Sequence, residues 1–218
     1  MTLQNRVRPD GEIVAEPSRG LLMGNRGCLH DADRRLVASR WRSPAWISCR
    51  LDFRGVQRDV MPPGRWTALF FLDEVTALAA GHRPCAYCRR PEFRAFARSW
   101  QLAQQHDVPP TAPAMDRQLH SERVDPRTRR QRTHPATAGS LPDGVMVRLD
   151  GTVGLLSEGA LRPWTFAGYL APQPVSSQDP VELLTPPSSV AALAAGYRPL
   201  LHPSAGALAP RPATRPSP

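Results

Sequence analysis

Four cysteines hold most of the chemistry this sequence offers: Cys28, Cys49, Cys85 and Cys88. Cys85 and Cys88 form a Cys-x2-Cys pair, the spacing that lets two thiolates grip one metal ion. A structural zinc site takes four soft or borderline ligands in a tetrahedron, and four cysteines fill it with none left over. The expected set is therefore Cys28, Cys49, Cys85 and Cys88. His30 and His82, two and three residues from a cysteine, are alternates. The alternative for Cys49 is a small buried hydrophobe, the common state of a free cysteine, but the knuckle downstream favours a ligand. Four thiolates on Zn²⁺ leave a net charge of about −2, which calls for cationic neighbours. Arg50, Arg83, Arg89 and Arg90 adjoin the cysteines in sequence. Such a centre is either structural or, because a zinc-bound thiolate is nucleophilic, an alkyl acceptor at Cys49.

The knuckle needs elements to hold it. Asp73 is a plausible N-cap, and Val75, Leu78 and Ala79 share a helical face. Gly81 stands where a helix end wants a left-handed residue, and Pro84 keeps the chain extended into Cys85. Pro91 suits the first turn of a second helix running to about His106, with Phe93, Phe96, Ala97 and Trp100 at helical spacing. Upstream, residues 46–61 read as a hairpin turning at Arg54-Gly55. Alternation there places Cys49 on a buried face with Ile47, Leu51 and Phe53. Residues 21–31 read as a glycine-punctuated loop carrying Cys28 and His30. Short strands are expected at residues 12–15 and 66–71.

Pro109, Pro110 and Pro113 mark the clearest boundary in the chain. A short helix at residues 114–123 carries Asp116, His120 and Glu122, a D-x3-H-x-E cluster with groups suited to metal-dependent hydrolysis. The same residues make an ordinary solvated helix with an i to i+4 pair. The tract to His134, with Arg129 and Arg130 among its arginines, reads as a solvated loop or a phosphate contact. A strong hairpin signal surrounds Asp150-Gly151, and further strands are expected near residues 164–170 and 181–184. Residues 186–195 read as a helix. VAALAAGYRP (190–199) echoes VTALAAGHRP (75–84), without the cysteines.

The expected fold class is α+β. Residues 1–107 form a small zinc-stabilised domain of a hairpin plus helix-knuckle-helix, and 108–140 a helix and arginine-rich linker. Residues 141–202 form a small β-rich domain with a terminal helix, and 203–218 a disordered tail. No run approaches the roughly 18 apolar residues that span a bilayer, and residues 1–14 lack the apolar core of a signal peptide. The expected compartment is the cytoplasm, where cysteines hold metals rather than disulfides. The net charge of +9 points to an anionic partner, DNA first. All 28 basic residues other than histidine are arginine, however, a bias that a GC-rich genome also produces.

FFLDEVTALAAGHRPCAYCRR (70–90) resembles the second half of the zinc-binding domain of the bacterial Ada methylphosphotriester-repair family, and also small zinc modules attached to some bacterial nucleases. The resemblance covers about 20 to 30 residues around AAG-x-RPC-x2-C. It implies that Cys85 and Cys88 are the second pair of zinc ligands. It also places Cys49, followed by Arg50, near the family's methyl-accepting cysteine. The family's first two cysteines lie close together, whereas Cys28 and Cys49 are 21 positions apart. Together these observations lead to a zinc-binding protein that contacts nucleic acid through Arg50, Arg83, Arg89, Arg90, Arg129 and Arg130, its zinc mainly structural. The alternatives are an alkyl acceptor at Cys49, a nuclease using Asp116, His120 and Glu122, and a protein-interaction scaffold whose charge reflects genome composition.

Overall fold

The computed structural model describes residues 2–55 and 59–206. Among the described residues the chain is α+β, with two sheets and four α-helices. The first sheet takes β1 (Gln4–Val7), β2 (Ile13–Ala15), β3 (Leu22–Asn25), β4 (Ile47–Arg50), β5 (Leu69–Phe71) and, after helix α1 (Glu74–Ala79), β6 (Arg83–Pro84). Its order is β2-β1-β5-β3-β4-β6, with β1–β5 and β4–β6 parallel and the other pairs antiparallel. Helices α2 (Arg90–Gln104) and α3 (Ala112–Arg123) lead to the second sheet. That sheet comprises β7 (His134–Thr137), β8 (Val145–Leu149), β9 (Thr152–Ser157), β10 (Ala160–Thr165), β11 (Gly168–Tyr169), β12 (Gln173–Pro174) and β13 (Pro180–Leu183). Its order is β11-β10-β9-β8-β13-β7, with β12 beside β10, and every pair is antiparallel. Helix α4 (Pro187–Ala194) follows.

Asp150-Gly151 makes the expected two-residue hairpin, with φ of 47° and 80° and register Leu149 opposite Thr152. Glu158-Gly159 repeats it between β9 and β10, with φ of 54° and 69°. Asp73 caps α1 by accepting from the Thr76 N–H and hydroxyl at 3.0 and 2.8 Å. The helix closes when the Gly81 and His82 N–H groups donate to the Leu78 and Ala77 carbonyls. α4 closes identically, Gly196 and Tyr197 donating to Leu193 and Ala192. The sequence echo is thus a shared helix stop, with both glycines at positive φ (79° and 102°).

α1 is buried along its whole length and gives a different side to each of three cores. Ala77 and Ala80 pack with Val7, Ile13, Leu22, Leu69 and Phe71 of the first sheet. Val75 and Ala79 pack with Met146, Leu155, Tyr169 and Leu184 of the second. Leu78 enters the largest cluster, where Phe96 and Trp100 of α2 and Met115 and Leu119 of α3 meet Val145, Val147 and Leu183. The expected boundary near residue 107 therefore does not separate two cores, because α2 and α3 lie on the second sheet.

Three other expectations change. Residues 22–25 are a central strand rather than loop, because Leu22, Met23 and Gly24 hydrogen-bond between β4 and β5. The chain turns at Arg54-Gly55, but β4 pairs with β3 and β6 instead of a returning strand, and Leu51 is exposed. Part of that predicted return, 56–58, lies outside the described residues. Pro203–Ala205 is a 3-10 turn with Ala205 buried, so the described residues 203–206 belong to the fold; the rest of the predicted tail lies outside the described residues.

A buried ion pair joins these parts. Arg89 Nη2 donates to Glu74 Oε2 at 2.6 Å, and Glu74 also accepts from the Tyr197 hydroxyl (2.5 Å) and the Leu200 N–H (2.8 Å). Glu74→Ala leaves the buried Arg89 with only Glu92, at 3.9 Å, as a carboxylate neighbour, and should cost about 3–5 kcal/mol. Urea unfolding monitored by tryptophan fluorescence would show this as a lower midpoint, and an unchanged midpoint would contradict it.

Candidate metal centre

The cysteine site is assembled by strand pairing. β4 lies antiparallel to β3, with Met23 opposite Cys49, and parallel to β6, with Ser48 beside Pro84. The Cys85 N–H donates to the Ser48 carbonyl at 2.9 Å, which carries the β6 pairing one residue further and sets Cys85 beside Cys49. The chain then turns back: the Arg89 N–H donates to the Cys85 carbonyl (3.1 Å) and the Tyr87 N–H to Cys85 Sγ (3.4 Å). This tight turn brings Cys88 to the other two. Cys49, Cys85 and Cys88 are all buried, and their sulfurs lie within 4.8 Å of one another. Sulfurs on one tetrahedral zinc ion stand about 3.8 Å apart at a Zn–S distance near 2.3 Å, so small side-chain adjustments suffice to hold a metal ion.

Met23, Ala68 and Phe70 pack against the three sulfurs, and Ile47, Phe53 and Trp66 shield them further. Phe53 meets the exposed Tyr87 ring edge-on at 5.2 Å, and Arg54 donates to the Tyr87 hydroxyl at 3.1 Å. The Arg50 backbone N–H is aimed at Cys88, and those of Tyr87 and Cys88 at Cys85. These donors favour thiolate over thiol. Hydrogen bonds from Cys49 and Cys88 hold the Cys85 thiol well below the usual range. Cys49 is pushed far up by its hydrogen bonds to Cys85 and Cys88, and then by burial. Three thiolates this close repel one another, and a divalent cation would favour the ionised form of all three.

Cys28 does not join them. Its sulfur lies within 3.7 Å of the His30 carbonyl, past the end of β3. His30 is held by Thr67 Oγ1 at 2.7 Å and the Pro62 carbonyl at 3.2 Å, and is not among the residues grouped with the three cysteines. His82 is also excluded: its ring lies against Phe71 and Trp46, and Nε2 accepts from Arg26 Nε at 3.2 Å. Burial, then the charges of Arg26 and Arg123, hold His82 well below the usual imidazole range, so it is neutral. Among the described residues, the metal set is three cysteines.

The D-x3-H-x-E cluster is dispersed among other tasks. Asp116 makes a buried two-pronged ion pair with Arg83, at 2.8 Å from Nε and 2.7 Å from Nη2. Glu122 accepts from the Ser188 N–H and hydroxyl, supplying the start of α4 with the side-chain cap that Pro186 lacks. His120 packs edge-on against Trp41 and Trp46.

The arginines divide sharply. Arg83 and Arg89 are buried in ion pairs with Asp116 and Glu74, and are unavailable to an external phosphate. Arg50 is exposed but pairs with Glu92 at 3.1 Å. Arg90, Arg129 and Arg130 are exposed. The tract around the last two is ordered rather than a loose loop: Asp125 accepts from the Arg127 and Thr128 N–H groups, and Val124 bridges to Gln131. Sequence reasoning missed Ser48, whose carbonyl aligns the knuckle; being buried, it breaks the alternation that located Cys49.

No protein-family model, curated protein or solved structure matches this chain. No helix among the described residues is long and apolar enough to cross a membrane.

The three-cysteine set makes a direct prediction. Cys49→Ser, Cys85→Ser and Cys88→Ser should each lose the bound metal, whereas Cys28→Ser should retain a full equivalent. Metal analysis of the purified proteins by mass spectrometry distinguishes this from a four-cysteine site, in which all four substitutions would release it.

Proposed function

We propose that this is a zinc-binding protein that contacts nucleic acid, its zinc site serving to fix structure. The observation that carries the first part is the convergence of Cys49, Cys85 and Cys88 from β4 and the knuckle onto one buried point. An all-thiolate donor set favours zinc over hard cations such as Mg²⁺ or Ca²⁺. Three protein ligands leave a tetrahedral ion one position for a further group. The zinc would clamp β4 to the start of α2, holding three thiolates, two of which, Cys85 and Cys88, backbone N–H groups already face. The site's enclosure by Phe53, Phe70 and Trp66 favours this structural role over methyl acceptance, which requires a large nucleic-acid substrate to reach Cys49.

The nucleic-acid part is supported by the net charge of +9 and by the exposed side chains of Arg90, Arg129 and Arg130, which have no carboxylate within ion-pair distance among the described residues. Phosphate contacts release counterions, so binding should weaken steeply as salt rises. On duplex DNA, the double substitution Arg129→Ala and Arg130→Ala should flatten the log–log salt dependence by about 1.8, at about 0.9 per lost contact. Fluorescence anisotropy across a salt series measures it, and a salt-independent or absent signal would sink the nucleic-acid part. Removing zinc with a strong chelator should lower the thermal midpoint and release β4 from the knuckle. Hydrogen exchange confined to residues 47–50 and 83–90 would report that release.

A further inference from the structure

A second constellation lies away from the cysteines, where the two sheets meet. Arg26 follows β3 and Arg123 ends α3; both are almost wholly buried, at 2% and 1% exposure. Neither has a carboxylate within ion-pair distance among the described residues, in contrast to Arg83 and Arg89. Both guanidiniums instead stack on Trp46, each 4.0 Å from the ring centroid.

Their hydrogen bonds fix them without neutralising them. Arg26 donates to His82 Nε2 and the Gly11 carbonyl, and Arg123 to the Gly81 and Pro44 carbonyls. Arg26 Nη2 and Arg123 Nε are buried and have no partner. Two unpaired buried cations sharing one aromatic ring are costly, and a protein that keeps them needs an anion to face them. Burial, and then the charge of Arg40, lower Arg26 to about 9, which marks the same cost.

Arg26 and Arg123 line a cavity of about 420 Å³. This falls within the roughly 300–1,000 Å³ of small-molecule sites, and junctions between packed units are where such sites concentrate. Gln131 fixes one wall, its side-chain NH2 lying within hydrogen-bond distance of the carbonyls of Pro9, Ala79 and Leu184, so the cavity is built rather than left over. The exposed Arg40, Arg129 and Arg130 add further positive charge to the lining. Arg148 also lines it but is spent on Glu182 and Asp10. In total six arginines face three carboxylates, Asp10, Glu12 and Glu182. Trp41, half-buried and braced edge-on by His120 at 5.4 Å, supplies an aromatic wall.

We propose that this cavity binds a nucleoside phosphate, its phosphate held by Arg26, Arg123 and Arg40 and its base stacked on Trp41. Arginine matches phosphate through paired N–H donors, and a base accepts an aromatic face. The nucleoside phosphate is either a free nucleotide or the terminal nucleotide of a strand. The site is separate from the cysteine centre and does not depend on zinc.

Calorimetric titration of the intact protein with AMP, adenosine, inorganic phosphate, and a short single strand with or without a 5′-phosphate tests this. AMP should bind at least tenfold tighter than adenosine and inorganic phosphate, and Arg26→Gln should weaken it at least tenfold. Should Arg26→Gln fail to fold, Arg40→Ala decides, since that side chain is exposed; it should weaken AMP about tenfold. Trp41→Ala should reduce the advantage of AMP over inorganic phosphate. Preference for the 5′-phosphorylated strand over AMP would identify a strand end, and the reverse a free nucleotide; both support the site. Failure of folded protein to bind AMP or the phosphorylated strand, or affinity unchanged by Arg26→Gln or Arg40→Ala, overturns it. AMP binding without duplex binding supports the cavity and sinks the broader nucleic-acid reading. Duplex binding alone, indifferent to these substitutions, does the opposite.

Discussion

The Glu74–Arg89 ion pair sets the arrangement on which the rest depends. Both side chains are at most 2% exposed, so each charge must be satisfied from within the protein. Burial pushes the Arg89 guanidinium down, but the charge and hydrogen bond of Glu74 outweigh it and leave the arginine above its ordinary value. Arg89 follows Cys88 directly, and its Nη1 donates to Ser48 Oγ, one residue before Cys49. Glu74 opens α1 and receives Tyr197 and Leu200 from beyond α4. A single salt bridge thereby relates the knuckle, β4, α1 and the chain after the second sheet. Strand pairing assembles the cysteines, and this ion pair ties the paired strand and the knuckle to α1.

The same electrostatic reasoning separates the buried arginines into two kinds. Arg83 and Arg89 each face a carboxylate and bind elements together. Arg26 and Arg123 face an indole, backbone carbonyls and a neutral histidine, all of which orient a cation without cancelling it. Partnered charge is architecture; oriented but uncancelled charge is a receptor. Gly81 makes room for one of the second kind: its carbonyl accepts from Arg123, and a β-carbon there would stand 2.3 Å from Arg123 Cδ.

Where local chemistry specifies structure, the sequence was legible. The Asp73 cap, the Gly81 stop and Pro91 located α1, the knuckle and α2, and Asp150-Gly151 located a hairpin. The C-x2-C spacing brought Cys85 and Cys88 together, and Cys49 is buried as expected although the alternation used to place it fails at Ser48 and Leu51. Long-range pairing was not legible. LMGN is a strand only because β4 and β5 flank it, and nothing local distinguishes it from a loop. An alanine-rich helix does not state how many cores it serves, so α1 was assigned to one domain when it touches both sheets. Nor does an arginine's position near a cysteine reveal a carboxylate waiting 33 residues away, as Asp116 does for Arg83.

The contacts of Asp73 and Glu74 also bear on how the chain is made. Their partners Tyr169, Tyr197, Leu200 and His202 come 96 to 129 residues later. Until that segment has left the ribosome, one face of α1 has nothing to close against, and Asp73 and Glu74 have only their nearer partners Thr76 and Arg89. Contacts this distant in sequence form slowly, since the loop must be closed before any of them is gained. The first sheet and the cysteine knuckle can assemble during synthesis, but the protein acquires its final core only when residues 197–205 arrive. The growing chain must therefore be kept from other apolar surfaces until residues 197–205 are in place.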